Sequence, residues 1–363
     1  MSRARRLLMA VVPVGVVVAT AGTAAVLLRP DHHTEGSATS RPTAQQLLAR
    51  IKGSTGVRFS GTVVANTSVE VPASEVGAAT SAFATVGLLA GSHTAKVWYG
   101  GAKRERVAVV DATGEVDYFR IGSDYWRWDP MARSAVGVKL PNLTSQTSWS
   151  PIPRVLPGQV GWWAASTADS HTRLSLDASG NIAGRSVYRL RIWPDHANSL
   201  INSIVISADT RTYTPLGVRV YAKEGSAPAM SAAFTRIRFG APDRENFTFS
   251  PPPDASVMPQ PSRRMGVPVN PKGEDERPTA PLELGVSFHG SGWGRVLEIR
   301  AAQLNSDELA WPSWSSADTQ VVSGRWGAGQ LFTSPLVTIL VTKDSRILVG
   351  DVRAKALLNC AGH

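Results

Sequence analysis

The sequence offers few residues whose types and spacing could support catalysis. Ser291 stands between two glycines in "HGSGWG", but the first glycine of the Gly-x-Ser-x-Gly turn that exposes a nucleophilic serine is absent. The turn "GGAKRER" lacks the Gly-Lys-Ser/Thr ending of a phosphate-binding loop. The single cysteine, Cys360, lies in the C-terminal tail, and we predict it to be inert. We therefore predict no catalytic residue and no enzyme.

Metal and cofactor sites are equally hard to find in the sequence. One cysteine cannot form a disulfide framework or a cysteine-based zinc cluster, and the histidines show no His-Glu-x-x-His spacing. His32, His33 and Glu35 could bind a metal in principle, but they fall in the polar stretch "DHHTEGSATSRP", which offers no fixed geometry. We predict no metal and no cofactor. A hydrolase whose paired carboxylates meet only in space stays open as the third alternative.

The elements predicted by the sequence are mainly strands with one apolar face. In "GRSVYRLRIW", apolar residues alternate with arginines at the period of two that is typical of a half-buried strand. The apolar positions are Tyr188, Leu190 and Ile192. The Asp/Thr/Pro-rich turn in "ISADTRTYTPLGVRV" predicts that the neighbouring strands are antiparallel. Such a sheet has one solvent-exposed face, and its function depends on what covers the other, apolar face.

Two insertions interrupt the strand pattern. The first, "VPASEVGAATSAFATVGLLAG", is small and apolar, and the second, 142–170, carries three prolines and several tryptophans. They are predicted either to cap the sheet as mobile elements or to pack on it as ordinary core. Ahead of both, "PTAQQLLARIKGS" predicts an opening helix with Thr43 as its N-cap and Gly53 as its stop.

The N-terminus predicts the compartment. Arg3, Arg5 and Arg6 precede Leu7–Leu28, a run of apolar or small residues. The run matches the ~20 residues needed to span a bilayer and exceeds the ~7–15 of a signal-peptide core. We predict a single N-terminal membrane span with the bulk of the chain outside the cytoplasm. The alternative is secretion after cleavage near Ala19-Thr20-Ala21.

The chain is basic, with a formal net charge of +10. Apart from the N-terminus, its lysines and arginines are scattered through the strand patterns and form no dense cluster, which argues against nucleic acid as a partner. A basic exported domain commonly faces anionic headgroups or acidic polymers, and otherwise its charge only solvates the surface.

Several motifs together resemble a known family. They are "AGRSVYRLRI", "ISADTRTYTPLGVRVYA", "FTRIRFG" and "FTFSPPPDASV", followed near the C-terminus by "GSGW" and "LVTILVTKDSRILVGDV". The series resembles the LolA-like fold of lipoprotein and lipid carriers, and within it the RseB/MucB type of sigma-factor regulatory protein in its actinobacterial form. The resemblance implies an α+β fold. It would consist of a strongly curved antiparallel sheet, an incomplete barrel of about eight to eleven strands with covering helices, and a small C-terminal α+β domain.

The predicted domain division follows from the resemblance and from a linker rich in proline and charge, "MPQPSRRMGVPVNPKGEDERPTAP". It runs as a signal anchor or signal peptide at 1–30, a tether at 31–42, a LolA/RseB-like lipid-binding domain at 43–257, the linker at 258–282 and a small domain at 283–363.

The resemblance also implies a function without catalysis. The chain would bind a lipid or lipoprotein acyl chain in an apolar cavity at the membrane, as an envelope sensor or a short-range carrier. The alternative is a ligand-free regulatory module acting on a membrane anti-sigma factor. Candidate cavity or lid residues are Val86, Leu88, Leu89, Trp98, Trp126, Trp128, Val155, Leu156, Val160, Trp162, Trp163, Tyr188, Leu190 and Ile192.

Overall fold

The computed structural model of the chain describes residues 41–68, 91–101, 103–111, 114–139, 156–170, 172–259, 284–301, 319–344 and 346–362. The predicted span Leu7–Leu28, the first insertion before Gly91 and the predicted linker after Pro259 lie outside these residues. Within the part described, no helix is both long and apolar enough to cross a membrane.

The larger of two sheets has twelve strands in the order β12-β6-β5-β4-β3-β2-β1-β11-β10-β9-β8-β7. The strands are β1 (Phe59–Thr67), β2 (Gly91–Tyr99), β3 (Arg104–Asp111), β4 (Gly114–Ile121), β5 (Asp124–Asp129), β6 (Ser134–Lys139), β7 (Arg173–Ile182), β8 (Arg185–Trp193), β9 (Ile201–Asp209), β10 (Pro215–Ala222), β11 (Met230–Phe239) and β12 (Ser256–Pro259). The sheet is curved and is not closed into a barrel, which confirms the predicted fold class.

Strand pairing follows the predicted antiparallel pattern with one exception. Consecutive strands are antiparallel neighbours on each side of the β1–β11 pair. The exception is β12, which pairs in parallel with β6. The sheet therefore has one strand more than the upper limit of the expected eight to eleven.

Three α-helices accompany the sheets in the described residues: α1 (Ala44–Gly53), α2 (Pro157–Thr167) and α3 (Ala354–Ala361). Helix α1 begins as predicted, because the Thr43 side chain accepts from the Gln46 N–H and the Gln46 side chain accepts from the Thr43 N–H. Helix α2 comes from the second insertion and begins at a proline, whose missing N–H costs nothing at that position.

The smaller sheet has six antiparallel strands in the order β13-β14-β18-β17-β16-β15. They are β13 (Leu284–His289), β14 (Val296–Ala301), β15 (Thr319–Gly324), β16 (Gly327–Thr333), β17 (Thr338–Thr342) and β18 (Arg346–Gly350). Leu357 of α3 packs with Leu340 and Leu348 in the core of this sheet. The boundaries of the predicted domains stay predictions.

Candidate functional site

One face of the twelve-stranded sheet, which we call the covered face, is apolar across many strands. Residues directly opposite each other in the ladders share a face, so the register follows this face from β8 to β1. One such row is Leu190, Ile206, Val218, Ala232 and Ala65. Each of these side chains is at most 6% exposed. The alternation in the sequence therefore predicted correctly which side chains of these strands are buried.

Helices α1 and α2 lie against the covered face. Leu47 and Ile51 of α1 are fully buried in the same core as Leu190. Helix α2 approaches β9 and β10 closely at Gly161, where a Cβ would stand 3.0 Å from the Pro215 side chain and 3.4 Å from Ile206 Cγ2. A glycine at this position lets the helix backbone rest on the sheet.

Aromatic residues join the two helices to the sheet. Tyr99 of β2 stacks on Phe59 with ring centroids 5.2 Å apart and lies 6.1 Å from the Trp162 ring of α2. The Tyr99 hydroxyl donates to the Thr55 carbonyl at 2.7 Å. Burial, with a smaller contribution from the charge of Glu105, raises the pKa of Tyr99 to about 12. Tyr99 is therefore a neutral hydrogen-bond donor at neutral pH.

Trp162 also links the helices by a hydrogen bond. Its Nε1 donates to Ser54 Oγ at 3.0 Å, and that hydroxyl donates to the Ile51 carbonyl at 2.8 Å. Trp162→Phe keeps most of the ring and removes the donor, so we expect a loss of about 1 kcal/mol in the free energy of unfolding. Urea unfolding of both proteins measures it. Trp98→Phe, on the opposite face of the sheet, is the control, and an equal loss in the two variants would contradict the assigned role.

A polar row continues the covered face beyond Tyr99. Glu105 of β3 lies opposite Tyr99, Arg120 of β4 lies opposite Glu105, and Tyr125 of β5 lies opposite Arg120. Glu105 is only 8% exposed although it carries a carboxyl group. Burial raises its pKa to about 7, and the positive charge of Arg120 limits the rise. Within the described part of the chain, buried Arg120 Nε has no hydrogen-bond acceptor.

The Arg120 guanidinium also contacts an aromatic ring in this row. It lies over Tyr125, 5.2 Å from the ring centroid. Burial, the largest cause, raises the pKa of Tyr125, which keeps its hydroxyl neutral. The row thus places a buried carboxyl, a guanidinium with an unused donor and a phenol beside the valines of the same face.

The three strand tryptophans of the candidate set do not lie on the covered face. Trp98 is opposite Arg106, Arg106 is opposite Phe119, and Phe119 is opposite Trp126, all on the other face. Trp128 shares that face, opposite Asp117. The grouping of Trp98, Trp126 and Trp128 with Leu190 around one cavity is therefore corrected, because side chains on opposite faces of a sheet cannot line the same side.

The opposite face has its own aromatic cluster. The Phe249 ring lies 4.7 Å from Phe119, 5.6 Å from Trp126 and 6.0 Å from Trp128. Arg106 lies over the Trp98 ring at 4.8 Å, and its Nε is 2.8 Å from the Asp117 carboxylate. The segment after β11 thus covers Trp126 and Trp128 with Phe249.

The remaining candidates divide into two groups. Val86, Leu88, Leu89 and Val155 lie outside the described residues. The others share the core of the covered face with α1 and α2: Leu156, Val160, Trp162, Trp163, Tyr188, Leu190 and Ile192. Contact of any of them with a ligand stays a prediction.

Sequence reasoning missed the polar row. Its signal was the alternation of "KRERVAVV", in which Glu105 occupies the same phase as Val107 and Val109. A charged residue in an apolar phase indicates either a paired charge or a site. Arg120 occupies the phase of Tyr118 in the next strand, but only the register shows that it neighbours Glu105.

Catalysis gains no support from the described residues. No group of three or more histidine, cysteine, aspartate or glutamate side chains in this part of the chain could hold a metal ion. Burial, followed by the negative charge of Glu298, raises the pKa of the Cys360 thiol. A thiol in that state is a poor nucleophile.

The six-stranded sheet meets the larger one at Trp293. This residue is 3% exposed, donates from Nε1 to Thr172 Oγ1 at 3.1 Å, and packs edge-on against Trp163 of α2 at 5.5 Å. Nearby, Ser199 and Val352 form an antiparallel bridge. A change in the position of α2 would therefore act directly on Trp293.

No protein-family model and no curated protein matches this sequence. Solved structures do resemble it. The MucA/MucB complex of Pseudomonas aeruginosa is 15% identical with a TM-score of 0.47, over 88% of this chain and 96% of that chain. A LolA superfamily protein of Nitrosomonas europaea is 10% identical with a TM-score of 0.24, over 58% of this chain and 99% of that one.

A third similar structure is a putative outer membrane lipoprotein-sorting protein domain of Vibrio parahaemolyticus, 12% identical with a TM-score of 0.24, over 56% of this chain and 94% of that one. These structures are of the LolA-like and RseB/MucB types that the sequence motifs resemble. At such identities the likeness concerns the fold alone.

Proposed function

We propose that this protein is a non-enzymatic extracytoplasmic protein that binds the acyl chain of a lipid or lipoprotein on the covered face of its twelve-stranded sheet. The observation that carries the proposal is the uncharged apolar row from Leu190 on β8 to Ala65 on β1, covered by two helices. An acyl chain needs only apolar surface, and each buried CH₂ contributes about 0.8 kcal/mol.

The seating of α2 supports this proposal. Its contact at Gly161 is one of backbone against side chain, and such a helix can rise from a sheet without breaking hydrogen bonds of the ladder. An acyl chain would enter between α2 and the strands. Because α2 packs on Trp293, a movement of α2 on ligand binding would also move Trp293 and so alter the six-stranded sheet. A sensor requires such a coupling. The predicted membrane span would keep the protein beside its ligand.

Photo-crosslinking of the full chain in a bacterial envelope tests the proposal. Cells expressing the protein receive a palmitate analogue with a diazirine in its tail, are irradiated, and the labelled peptides are mapped by mass spectrometry. We expect labels on α2 and on covered-face positions of the strands. A diazirine butanoate, which has the head but no long chain, is the matched control and should label weakly.

Two results would contradict the proposal. The first is absence of labelling above the butanoate control. The second is labelling spread equally over the covered face and the opposite face around Trp126, which would indicate non-specific contact with membrane lipid.

A second candidate function is a regulatory module that acts on a membrane anti-sigma factor. Two exposed apolar side chains favour it: Phe288 on edge strand β13, 56% exposed, and Val321 on edge strand β15, 76% exposed. Unpaired strand edges with apolar side chains are ready sites for another chain. The MucB structure similar to this chain also holds MucA.

Substitution separates the two candidates. On the regulatory hypothesis, Phe288→Ser and Val321→Ser should reduce capture of the anti-sigma factor by at least about tenfold, a loss typical of interface anchors. Crosslinking to the palmitate analogue should stay unchanged in both variants. Undiminished capture would remove these two positions from the partner interface.

A further inference from the structure

The polar row on the covered face contains a hydrogen-bond donor that has no acceptor among the described residues. Arg120 Nε is buried, yet within the described part of the chain no acceptor reaches it. A buried N–H that gives up water without gaining a partner is costly, and one on a guanidinium is more costly still. Most buried polar groups in native structures are paired with protein or with ordered water, so an unpaired guanidinium N–H needs an explanation.

The residues around Arg120 indicate which kind of ligand could accept its hydrogen bond. Glu105, its neighbour on β3, is 8% exposed, and Tyr125, its neighbour on β5, is 5% exposed. Arg120 as a whole keeps partial solvent exposure although its Nε is buried, so an oxyanion would approach the guanidinium from its exposed side. A guanidinium N–H selects an oxyanion, either a carboxylate or a phosphate. Below about pH 7 the Glu105 carboxyl adds an O–H donor to the same row, because burial raises its pKa to about 7.

Apolar residues continue from this row on the same face. Val97 and Val107 form the next cross-strand pair beside Tyr99 and Glu105, and both are fully buried. A molecule with an oxyanion at one end and a hydrocarbon chain at the other fits the two surfaces at once. Free phosphate would satisfy only the first of them.

We propose that Arg120 binds the anionic head, carboxylate or phosphate, of an acyl ligand whose chain lies along the covered face beside Val97 and Val107. The inference rests on the proposed function and extends it from an acyl chain in general to an acyl anion. Arg120 recognises the head, and the valines and the face beneath α2 receive the tail.

Competition against the diazirine palmitate crosslink tests the inference on the full chain. Oleate and oleyl alcohol carry the same chain and differ in the charge of the head. In the unmodified protein, oleate should suppress crosslinking at a concentration about tenfold lower than oleyl alcohol, the size of one charge-assisted hydrogen bond. Oleyl phosphate should act like oleate, and inorganic phosphate alone should have no effect.

Variants assign the preference to the residue. Arg120→Gln should lose the tenfold preference for oleate while oleyl alcohol competes as before. Arg120→Lys, which keeps the charge, should retain part of the preference. Arg127→Gln is the matched control, because Arg127 shares the face but already pairs with Asp129 at 3.2 Å. It should behave like the unmodified protein. Thermal melts of each variant show that the fold is kept.

The outcomes distinguish this inference from the function on which it rests. If the unmodified protein is crosslinked and oleate and oleyl alcohol compete equally, the head site is refuted and acyl binding stands. Suppression by inorganic phosphate alone would also refute it, because the site would then bind a free anion. If no long-chain crosslink forms, the proposed function itself fails.

Discussion

Replacing Glu105 by glutamine is expected to stabilise the protein by roughly 3 kcal/mol at about pH 8 and to change its stability little at about pH 4. In the folded chain, burial raises the pKa of Glu105 from 4.5 to about 7. The unfolded chain therefore releases this proton at a lower pH than the folded chain. Stability is fully present below the unfolded pKa and falls as pH rises towards about 7, where the loss levels off.

Chemical unfolding of both proteins at several pH values between about 4 and 8 measures this effect. Asp351, whose pKa burial also raises to about 7, contributes a loss of the same sign over the same window. Its contribution cancels in the difference between the two proteins. Glu115→Gln is the control, because Glu115 is 37% exposed and pairs with Lys96 at 3.3 Å. It should change stability by less than about 0.5 kcal/mol. If the difference in unfolding free energy between Glu105→Gln and the unmodified protein does not vary with pH, folding does not raise the pKa of Glu105.

Alanine at Gly61 is expected to cost about 3 kcal/mol of unfolding free energy, the upper range for forcing extra volume into a packed site. Gly61 lies in β1 between Val97 of β2 and Ile237 of β11. A Cβ there would stand 2.4 Å from the Arg236 carbonyl oxygen and 2.8 Å from the Phe234 ring. The ring can rotate, but the carbonyl belongs to the neighbouring strand and moves only if the ladder shifts.

The control for Gly61→Ala is Gly56→Ala. Gly56 belongs to the short 3-10 helix after α1, and a Cβ there would meet nothing within 4 Å. The same substitution should therefore be neutral or stabilise slightly, since alanine restricts the unfolded chain. Urea unfolding compares the three proteins. Equal effects at the two glycines would mean that β11 does not approach β1 as closely as the structure has it.

Position 61 also matters for the covered face. Phe234 lies over β1 there and packs edge-on against Phe59 at 5.6 Å, next to Tyr99. If acyl binding depends on this face, Gly61→Ala should weaken crosslinking to the palmitate analogue together with stability. Arg120→Gln should alter the choice of head without the loss of stability. Gly61→Ala thus tests how binding depends on the packing of the covered face, and Arg120→Gln tests how it depends on the charge at the ligand head.

Local signals in the sequence determined the elements of this fold. The capping pair of Thr43 and Gln46 and the alternation of Tyr188, Leu190 and Ile192 depend on neighbours within a few residues. Each pattern can therefore be recognised from a short stretch of sequence, whatever the rest of the chain contains. The mainly antiparallel sheet follows from the same patterns, because the turn residues stand between the strands that they join. The LolA-like motifs added the overall architecture.

Register and long-range contacts were decided only by the tertiary structure. Alternation says that Trp98 and Val97 point to opposite sides of β2, but which side the helices cover depends on how all the strands pair. Glu105 and Arg120 become neighbours through one ladder, and Trp293 meets Thr172 across 121 positions of sequence. Such contacts leave no local pattern, because their free energy comes from burying groups that the folded chain alone brings together.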